Sequence, residues 1–405
     1  MRRILFASLA LLILPLAASA QFVRAVGPDF IQPDGTKLHI RGTNLGNWLV
    51  PEGYMWRFRD GPQAPHEIEA LVEVLFGPDK AAAFWQDYRD RYVTPADINF
   101  LAQAGCNTLR VPLHYKFFLD PKGEGFRRLD QLVQWSRTAG LRLILDLHCA
   151  PGGQTGTNID DSRGYPWLFE SPQAQEQLLT VWRNLAKHFR NEPVILGYDL
   201  LNEPMPAFPG WEKQRALVEP LLHRVLAAVR EIDRNHIVCL TGVNWDSDFS
   251  LLGAPPAANL SYTFHKYWMP PTEDSIRPYL DFRAKYHVPV WIGETGENKD
   301  EWVAAFRQVL EAHDVGWTFW PYKKMSSPAG FVHFNPPVHW DKITAFAALP
   351  DFTGSDQVKK NLPLRPSQAE IEAAFADLLQ QVEFAHCEPN RGYIEALGLK
   401  VPEKK

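Results

Sequence analysis

Two glutamates stand where short apolar runs of the chain end. The run 194–201 stops at Asn202-Glu203-Pro204, and the run 288–293 stops at Glu294-Thr295-Gly296. Continuous apolar runs of this length are typical of strands in a parallel sheet that is covered on both faces. A carboxylate at the carboxyl end of such a strand has a chemical use rather than a structural one. Two converging carboxyls suit glycoside hydrolysis, in which one protonates the leaving oxygen and the other attacks the sugar or activates water.

Other polar and aromatic residues are placed in the same way. Arg110 follows the second apolar run and His148 the third, His265 and Tyr267 follow the sixth, and Trp320 lies on the eighth. In (β/α)8 enzymes the active-site residues come from the carboxyl ends of several strands. We therefore expect these five side chains to surround the two glutamates.

Strand-like and helix-like segments alternate along most of the chain, which predicts an α/β fold. Eight repeats in this length match a (β/α)8 TIM barrel with long loops after strands 1 and 8. A doubly wound open sheet is the alternative, although no glycine-rich phosphate-binding motif follows any strand candidate. The last helix is expected to begin after Ser367, with Glu370 completing a capping box. The strand candidates are residues 38–45, 106–113, 141–148, 194–201, 237–242, 261–266, 288–293 and 315–320.

Two of the predicted loops are unusually long. Structureless loops of this size in a compact domain are usually functional. Since strands one and eight are neighbours in a closed barrel, both loops are expected to wall one substrate cleft. The loop 46–93 contains Trp48, Tyr54, Trp56 and Trp85, and the loop 321–366 contains Phe331, His333, Phe334, His339 and Trp340.

The bulk composition is that of an ordinary globular protein. Of 405 residues, 45% are hydrophobic and 22% are charged, and the net charge is only -5, which argues against nucleic-acid partners. Aromatic residues make up 12%, with 14 tryptophans, as expected where sugar faces stack on indole rings. No linker divides residues 21–405, so a single catalytic domain and a monomer are expected.

Residues 1–20 have the pattern of a secretory signal peptide. Arg2-Arg3 precedes the apolar stretch 4–16, and Ala18-Ser19-Ala20 supplies a cleavage site. The mature protein is therefore expected to be secreted or periplasmic, with no membrane span after cleavage; an uncleaved N-terminal anchor is the alternative. The four cysteines show no C-x-x-C motif, so a metal site is not predicted; Cys106 and Cys239, in apolar runs, are expected to be buried thiols.

A set of motifs extends over strands one to eight and carries a family resemblance. With them the chain resembles the cellulase-type clan of retaining glycosidases and, within it, glycoside hydrolase family 5. The motifs are Arg-Gly-Thr-Asn-Leu-Gly-Asn-Trp at 41–48, Asn-Thr-Leu-Arg-Val-Pro at 107–112, Asp-Leu-His at 146–148, Asn-Glu-Pro at 202–204, His-Lys-Tyr at 265–267, Gly-Glu-Thr at 293–295 and Trp317 to Trp320.

The resemblance implies roles for most of the candidate residues. Glu203 would be the general acid/base and Glu294 the nucleophile, and Asn202 would bind the sugar 2-hydroxyl. His148 and His265 would wall the subsite of the attacked sugar, with Trp320 as its stacking floor. Arg110 and Tyr267 are expected to keep Glu294 ionised by hydrogen bonding. No cofactor or metal ion is needed, and the partner would be a polysaccharide or oligosaccharide.

A finer resemblance concerns the position of the cut. The segment 44–52, with Trp48 and Glu52, is similar to the first-strand segment of exo-acting β-1,3-glucanases, in which a matching glutamate binds the terminal sugar. A solvated loop glutamate is the alternative for Glu52. Asn244, after strand five, matches a position that offers polar contacts in relatives.

The sequence therefore predicts a secreted retaining glycosidase that cleaves β-glucan-type substrates in the manner of an endoglucanase. An exo-β-1,3-glucanase or β-glucosidase, or a mannan or furanoside specificity, remains open, because the fold and the catalytic pair do not fix the sugar. Transglycosylation shares the same intermediate. A non-catalytic carbohydrate-binding barrel is the alternative from another class.

Overall fold

Eight parallel strands form a closed barrel in the computed structural model, which describes residues 21–349 and 354–403. The last barrel strand pairs with the first, with Trp317 opposite Arg41, so no edge is left open. The predicted (β/α)8 TIM barrel is confirmed, and the open-sheet alternative is wrong. The barrel strands are β3 (Arg41–Asn44), β4 (Thr108–His114), β5 (Arg142–Cys149), β6 (Ile195–Asp199), β7 (Ile237–Thr241), β8 (Leu260–His265), β9 (Val290–Glu294) and β10 (Gly316–Phe319).

The remaining elements surround this barrel. A short hairpin precedes it, β1 (Arg24–Val26) with β2 (Asp29–Ile31), and a small sheet of β11 (Lys323–Met325), β12 (Val332–Phe334) and β13 (Glu388–Pro389) follows it. The helices are α1 (Pro65–Phe76), α2 (Pro78–Tyr92), α3 (Pro95–Ala104), α4 (Glu124–Ala139), α5 (Pro172–Phe189), α6 (Glu212–Arg215), α7 (Val218–Arg230), α8 (Arg277–Tyr286), α9 (Asp300–Ala312), α10 (Trp340–Ala347), α11 (Ser355–Asn361), α12 (Gln368–Gln381) and α13 (Arg391–Ala396).

Alternation along each strand separates two apolar layers. On β5, Leu143 and Leu145 pack in the large cluster under the helices, whereas Ile144 belongs to a smaller cluster that includes Phe30 of the hairpin. Side chains two residues apart share a face of a strand. Asp146 therefore follows Ile144 on the inner face, and the barrel interior changes from apolar to charged toward the carboxyl ends of the strands.

The connections after the first and last barrel strands are long, as predicted, but they are not structureless. Residues 46–93 fold mostly into α1 and α2, and residues 321–366 contain β11, β12, α10 and α11. Proline stands at the first position of both α1 and α2, where its missing N–H costs no hydrogen bond. The aromatic residues of the segment 46–93 pack on one another and on those of the segment 321–366. Trp56 and Trp340, for example, have ring centroids 6.0 Å apart.

Several smaller predictions concern single elements and residues. The last long helix begins after Ser367, whose side chain accepts from the Glu370 N–H in the predicted capping box. Cys106 and Cys239 are buried free thiols, as expected. The predicted signal peptide lies outside the described residues. Across residues 21–349 and 354–403, no helix combines the length and the apolar character needed to cross a membrane.

A buried ion pair joins the segment after β10 to the helices around it. Lys323 and Asp97 are both fully buried, with 2.7 Å between Nζ and Oδ1. The same ammonium donates to the carbonyls of Tyr92 and Val382, each at 2.7 Å. All three of its protons are thus engaged, which fixes β11 against α2, α3 and the end of α12.

Lys323→Met should destabilise the protein strongly, because it leaves the Asp97 carboxylate buried without its cation. Removing one partner of a buried pair typically costs about 3–5 kcal/mol in free energy of unfolding. Urea unfolding would measure the loss. Lys342→Met, which removes the lysine of an exposed pair with Glu370, is the control and should change little. Equal losses in the two variants would contradict the stabilising role assigned to the Lys323 pair.

Candidate active site

The two glutamates that end apolar runs of the sequence meet at the carboxyl-terminal end of the barrel. Glu203 follows β6, and Glu294 is the last residue of β9. One carboxylate oxygen of each lies within 4.8 Å of the other. The side chains are 14% and 7% exposed, so both carboxyls are largely removed from water while remaining reachable from the mouth of the barrel. This separation is close to the spacing of about 5–5.5 Å in glycosidases that act by double displacement.

Arg110 lies at the centre of the charged layer inside the barrel. Its guanidinium is fully buried and contacts three carboxylates, those of Asp146 at 3.0 Å, Asp199 at 2.8 Å and Glu294 at 2.5 Å. Burial raises the pKa of Asp146 and of Asp199 to about 7, although the Arg110 charge opposes the shift. The Arg110 guanidinium therefore pairs with all three carboxylates, and it holds Glu294 in a fixed position.

The two glutamates differ in what surrounds them. Burial and then the nearby Glu294 charge raise the pKa of Glu203 well above its usual range. Burial also raises the pKa of Glu294, but Arg110 opposes that shift, and the Tyr267 hydroxyl donates to the second oxygen of Glu294 at 3.1 Å. At close range two carboxyls cannot both ionise cheaply, so one proton is shared unequally. These surroundings favour the proton on Glu203 and the negative charge on Glu294.

The backbone of Glu203 is strained, and hydrogen bonds hold it in place. Its φ of 45° lies in the left-handed region, which side-chain-bearing residues rarely adopt. The carboxylate of Asp246, fully buried after β7, accepts from the Glu203 N–H at 3.1 Å. His265 Nδ1 lies 2.8 Å from the Glu203 carboxylate. Burial lowers the pKa of His265 well below its usual value, so this histidine is neutral at pH 7.

His148, Trp320 and Glu52 form a wall on the side of β3 and β10. The imidazole of His148 stacks on Trp320, with ring centroids 5.6 Å apart and planes at 6°. The His148 Nδ1 lies 2.8 Å from Asp146 and its Nε2 lies 4.0 Å from Glu52, and burial lowers the pKa of His148 to about 4. A Cβ at Gly46 would collide with the Trp320 ring, so glycine is required there. The Trp320 indole N–H donates to the Tyr54 hydroxyl at 2.7 Å.

Three other residues that the sequence predicts to contact the substrate lie in different surroundings. Asn202 is buried beside Glu203, and its Oδ1 accepts from Arg110 at 2.9 Å. Trp48 is 2% exposed, and its indole N–H donates to the Arg89 carbonyl at 2.8 Å. Asn244 begins a turn closed by the Ser247 N–H, and its Oδ1 accepts from the Ala207 N–H on the loop after β6.

The sequence reasoning missed several residues that organise the site. Asp146 and Asp199 could have been suspected, because a charge inside an apolar strand run needs a buried partner. Asp246 carried no comparable signal. Gln154 is also fully buried, and its amide donates to the carbonyls of His148 and Asn202 at 2.7 and 2.9 Å. It ties the carboxyl end of β5 to the residues that follow β6.

Two groups of side chains have the spacing of a metal site. Both use Glu294, one with Asp146 and His148 and the other with Glu203 and His265, with ligand atoms within 4.8 Å of one another. The Arg110 guanidinium already occupies one Glu294 oxygen, and its charge opposes a second cation at that position.

Glu203→Gln should stabilise the fold at neutral pH. A carboxyl whose pKa is raised on folding destabilises the fold at high pH. The free energy of unfolding falls as pH rises from the pKa in the unfolded chain, about 4.3, to the pKa in the folded protein. The variant removes that penalty, so its Tm should exceed the wild-type Tm at pH 8, and the gap should narrow toward pH 4. Exposed Glu301→Gln is the control. A gap independent of pH would contradict the unequal sharing of the proton.

Known proteins resemble this chain in sequence. Residues 75–326 match the family model described as Cellulase (glycosyl hydrolase family 5). The chain is 29% identical to a protein named beta-xylosidase from Phanerodontia chrysosporium, over 70% of this chain and 59% of that protein. It is 33% identical to a probable glucan 1,3-beta-glucosidase A from Aspergillus clavatus, over 66% of this chain and 65% of that protein. The chain thus spans less than two thirds of the length of these relatives.

Solved structures resemble the fold. The rutinosidase from Aspergillus niger superimposes with a TM-score of 0.59 at 20% identity, over 72% of this chain and 92% of that one. The catalytic domain of the Thermobifida fusca endoglucanase does so with a TM-score of 0.52 at 15% identity, over 86% and 97%. At these identities the likeness supports the barrel fold alone, whereas the family match covers more than half of the chain. The protein belongs to glycosyl hydrolase family 5.

Proposed function

We propose that this protein is a secreted retaining β-glycosidase that cleaves β-glucan-type saccharides by double displacement. The observation that carries the proposal is the pair of buried carboxyls within 4.8 Å, of which, among the residues that the structure describes, only Glu294 has an arginine partner. Export rests on the sequence of residues 1–20 alone.

In the first step Glu294 attacks the anomeric carbon and forms a glycosyl ester, while the bond to the leaving oxygen breaks. Glu203 donates its proton to that oxygen, so the leaving sugar departs as a neutral alcohol. The raised pKa of Glu203 keeps the proton available near neutral pH. Arg110 and Tyr267 keep the attacking carboxylate ionised and oriented.

In the second step the roles of Glu203 reverse. The Glu203 carboxylate, relieved of the neighbouring charge once Glu294 is esterified, removes a proton from water, and the resulting hydroxide displaces the ester. Glu203 regains its proton and Glu294 its charge. If a sugar hydroxyl replaces water, the same step is transglycosylation. Asn202, held by Arg110 through Oδ1, can donate its amide to the sugar 2-hydroxyl in both steps.

Kinetics of two glutamine variants test the assignment. Glu294→Gln should lose several orders of magnitude in kcat on every glycoside, because no ester can form. Glu203→Gln should lose most of its activity on unactivated glycosides. On aryl glycosides, whose leaving group needs no proton, the rate of the first step should fall much less. Exogenous azide should restore its turnover by attacking the ester directly. A Glu294→Gln variant with wild-type kcat would eliminate this mechanism, and a wild-type protein that binds glucan without cleaving it would favour a non-catalytic barrel.

Between exo and endo action, one observation favours exo. Glu52 is 7% exposed at the wall formed with His148 and Trp320, and within the described chain its Oε1 finds no hydrogen-bond partner. A buried polar atom without a partner is costly unless a ligand supplies one. The hydroxyls of a terminal sugar would do so, and the wall would stop the chain there. The similarity to a protein named glucan 1,3-beta-glucosidase adds support.

Exo action predicts that reducing ends appear on a soluble β-glucan with little early loss of viscosity. Glu52→Ala should raise KM for glucosides about tenfold or more, since a buried hydrogen bond to a sugar hydroxyl is lost. Glu73→Ala, at an exposed position of the outer helix α1, is the control. Rapid viscosity loss would instead indicate endo cleavage in an open groove.

A further inference from the structure

Five aromatic side chains form a continuous row across the loops that follow β5, β6 and β7. We call this row, Tyr165, Trp167, Phe208, Trp211 and Trp245, the aromatic rail. Ring centroids are 4.6 Å apart from Trp167 to Tyr165, 6.4 Å from Tyr165 to Trp211, 5.4 Å from Trp211 to Phe208 and 5.5 Å from Phe208 to Trp245. No step in the row exceeds the distance at which aromatic rings interact.

The rail is open to solvent along its length. Trp167 is 52% exposed and Phe208 is 41% exposed, and the other three rings are partly buried. Trp211 packs closely on the backbone at Gly156, where an added Cβ would stand 2.6 Å from the ring. Contiguous apolar patches that stay exposed mark sites for ligands or partners.

One end of the rail is connected to the acid/base glutamate. Trp245 stands between Asn244 and Asp246, and the Asp246 carboxylate accepts from the Glu203 N–H at 3.1 Å. The Asn244 N–H donates to the Met205 carbonyl at 2.7 Å. The rail therefore begins within a few residues of the group that faces the leaving oxygen.

The barrel topology places the rail across the mouth from the closed wall. In the ring of eight strands, β10 lies opposite β6 and β3 lies opposite β7. Trp320 and Glu52 follow β10 and β3, whereas Phe208 and Trp245 follow β6 and β7. A saccharide whose terminal sugar is held at the wall must leave the site over the opposite rim. That rim carries the rail.

We propose that the aromatic rail binds the leaving-group side of a saccharide chain, so that the substrate is an oligosaccharide or polysaccharide extending several sugars beyond the cut. The flat C–H faces of β-linked sugars match exposed ring faces, and their hydroxyls stay in water. This rests on the proposed function of the Glu203–Glu294 site, which it deepens by assigning the substrate length. Trp268, 73% exposed after β8, is the competing platform outside the rail.

The test compares a short and a long substrate in Trp167→Ala, Phe208→Ala and the double variant. For each ring removed, kcat/KM for a β-linked gluco-hexasaccharide should fall about tenfold more than kcat/KM for an aryl β-glucoside, which ends before the rail. Phe208→Tyr should restore the hexasaccharide value. Trp268→Ala is the matched control, with no difference between the two substrates. Thermal unfolding checks that the variants, at exposed positions, keep the wild-type Tm.

The outcomes separate the two proposals. Equal losses on both substrates, or a hexasaccharide loss in Trp268→Ala alone, would overturn the rail. In an otherwise inactive Glu294→Gln protein, hexasaccharide binding measured by calorimetry should weaken about tenfold on Phe208→Ala. If wild type cleaves neither substrate but this binding persists and depends on Phe208, the proposed function fails and the rail stands. If Glu294→Gln binds no hexasaccharide while wild type cleaves the aryl glucoside, the rail fails and the function stands.

Discussion

A single buried guanidinium determines how this site is built. Arg110 has no access to water and neutralises a cluster of carboxylates inside the barrel. Without it, desolvation would drive the neighbouring acids to their neutral forms. Because one of those acids is Glu294, the same cation that stabilises the charged layer also favours the ionised form of the proposed nucleophile. Glu203 lies outside the direct contacts of this cation and keeps a proton. The difference between two chemically identical side chains is thus a matter of which one touches Arg110.

The closed barrel makes this arrangement possible. Eight parallel strands direct their carboxyl ends to one face, so residues distant in sequence converge without long connections. The apolar layer below, with Ile144 and Trp291, and the aromatic cluster around Trp56 above the β3 side hold the charged layer rigid. Two features of the site lower the stability of the fold. The left-handed backbone of Glu203 reduces stability, and so does the buried Glu52 Oε1, which has no hydrogen-bond partner among the described residues; such costs are expected at functional sites.

Much of this could be predicted from sequence, for physical reasons. Buried parallel strands leave uninterrupted apolar runs, and a polar residue that ends such a run must lie at the barrel mouth, as Glu203, Glu294 and His148 do. Partners could not be predicted, since Asp199 meets Arg110 only through barrel closure. Helices α1 and α2 do not pack as the regular β/α repeats do, since Phe76 and Phe84 contact Phe375 of α12. The hydrogen bond from the Trp48 indole to the Arg89 carbonyl could not be predicted either, because it joins two parts of the chain that meet only on folding.

In the proposed mechanism, the carboxyls of Glu203 and Glu294 act in succession on one sugar. The most direct measurement is the anomeric configuration of the first product, followed by proton NMR during hydrolysis of a β-glycoside before mutarotation. Double displacement predicts that the β anomer appears first and the α anomer only later. Initial release of the α anomer would show that water attacks the sugar directly, and it would exclude double displacement.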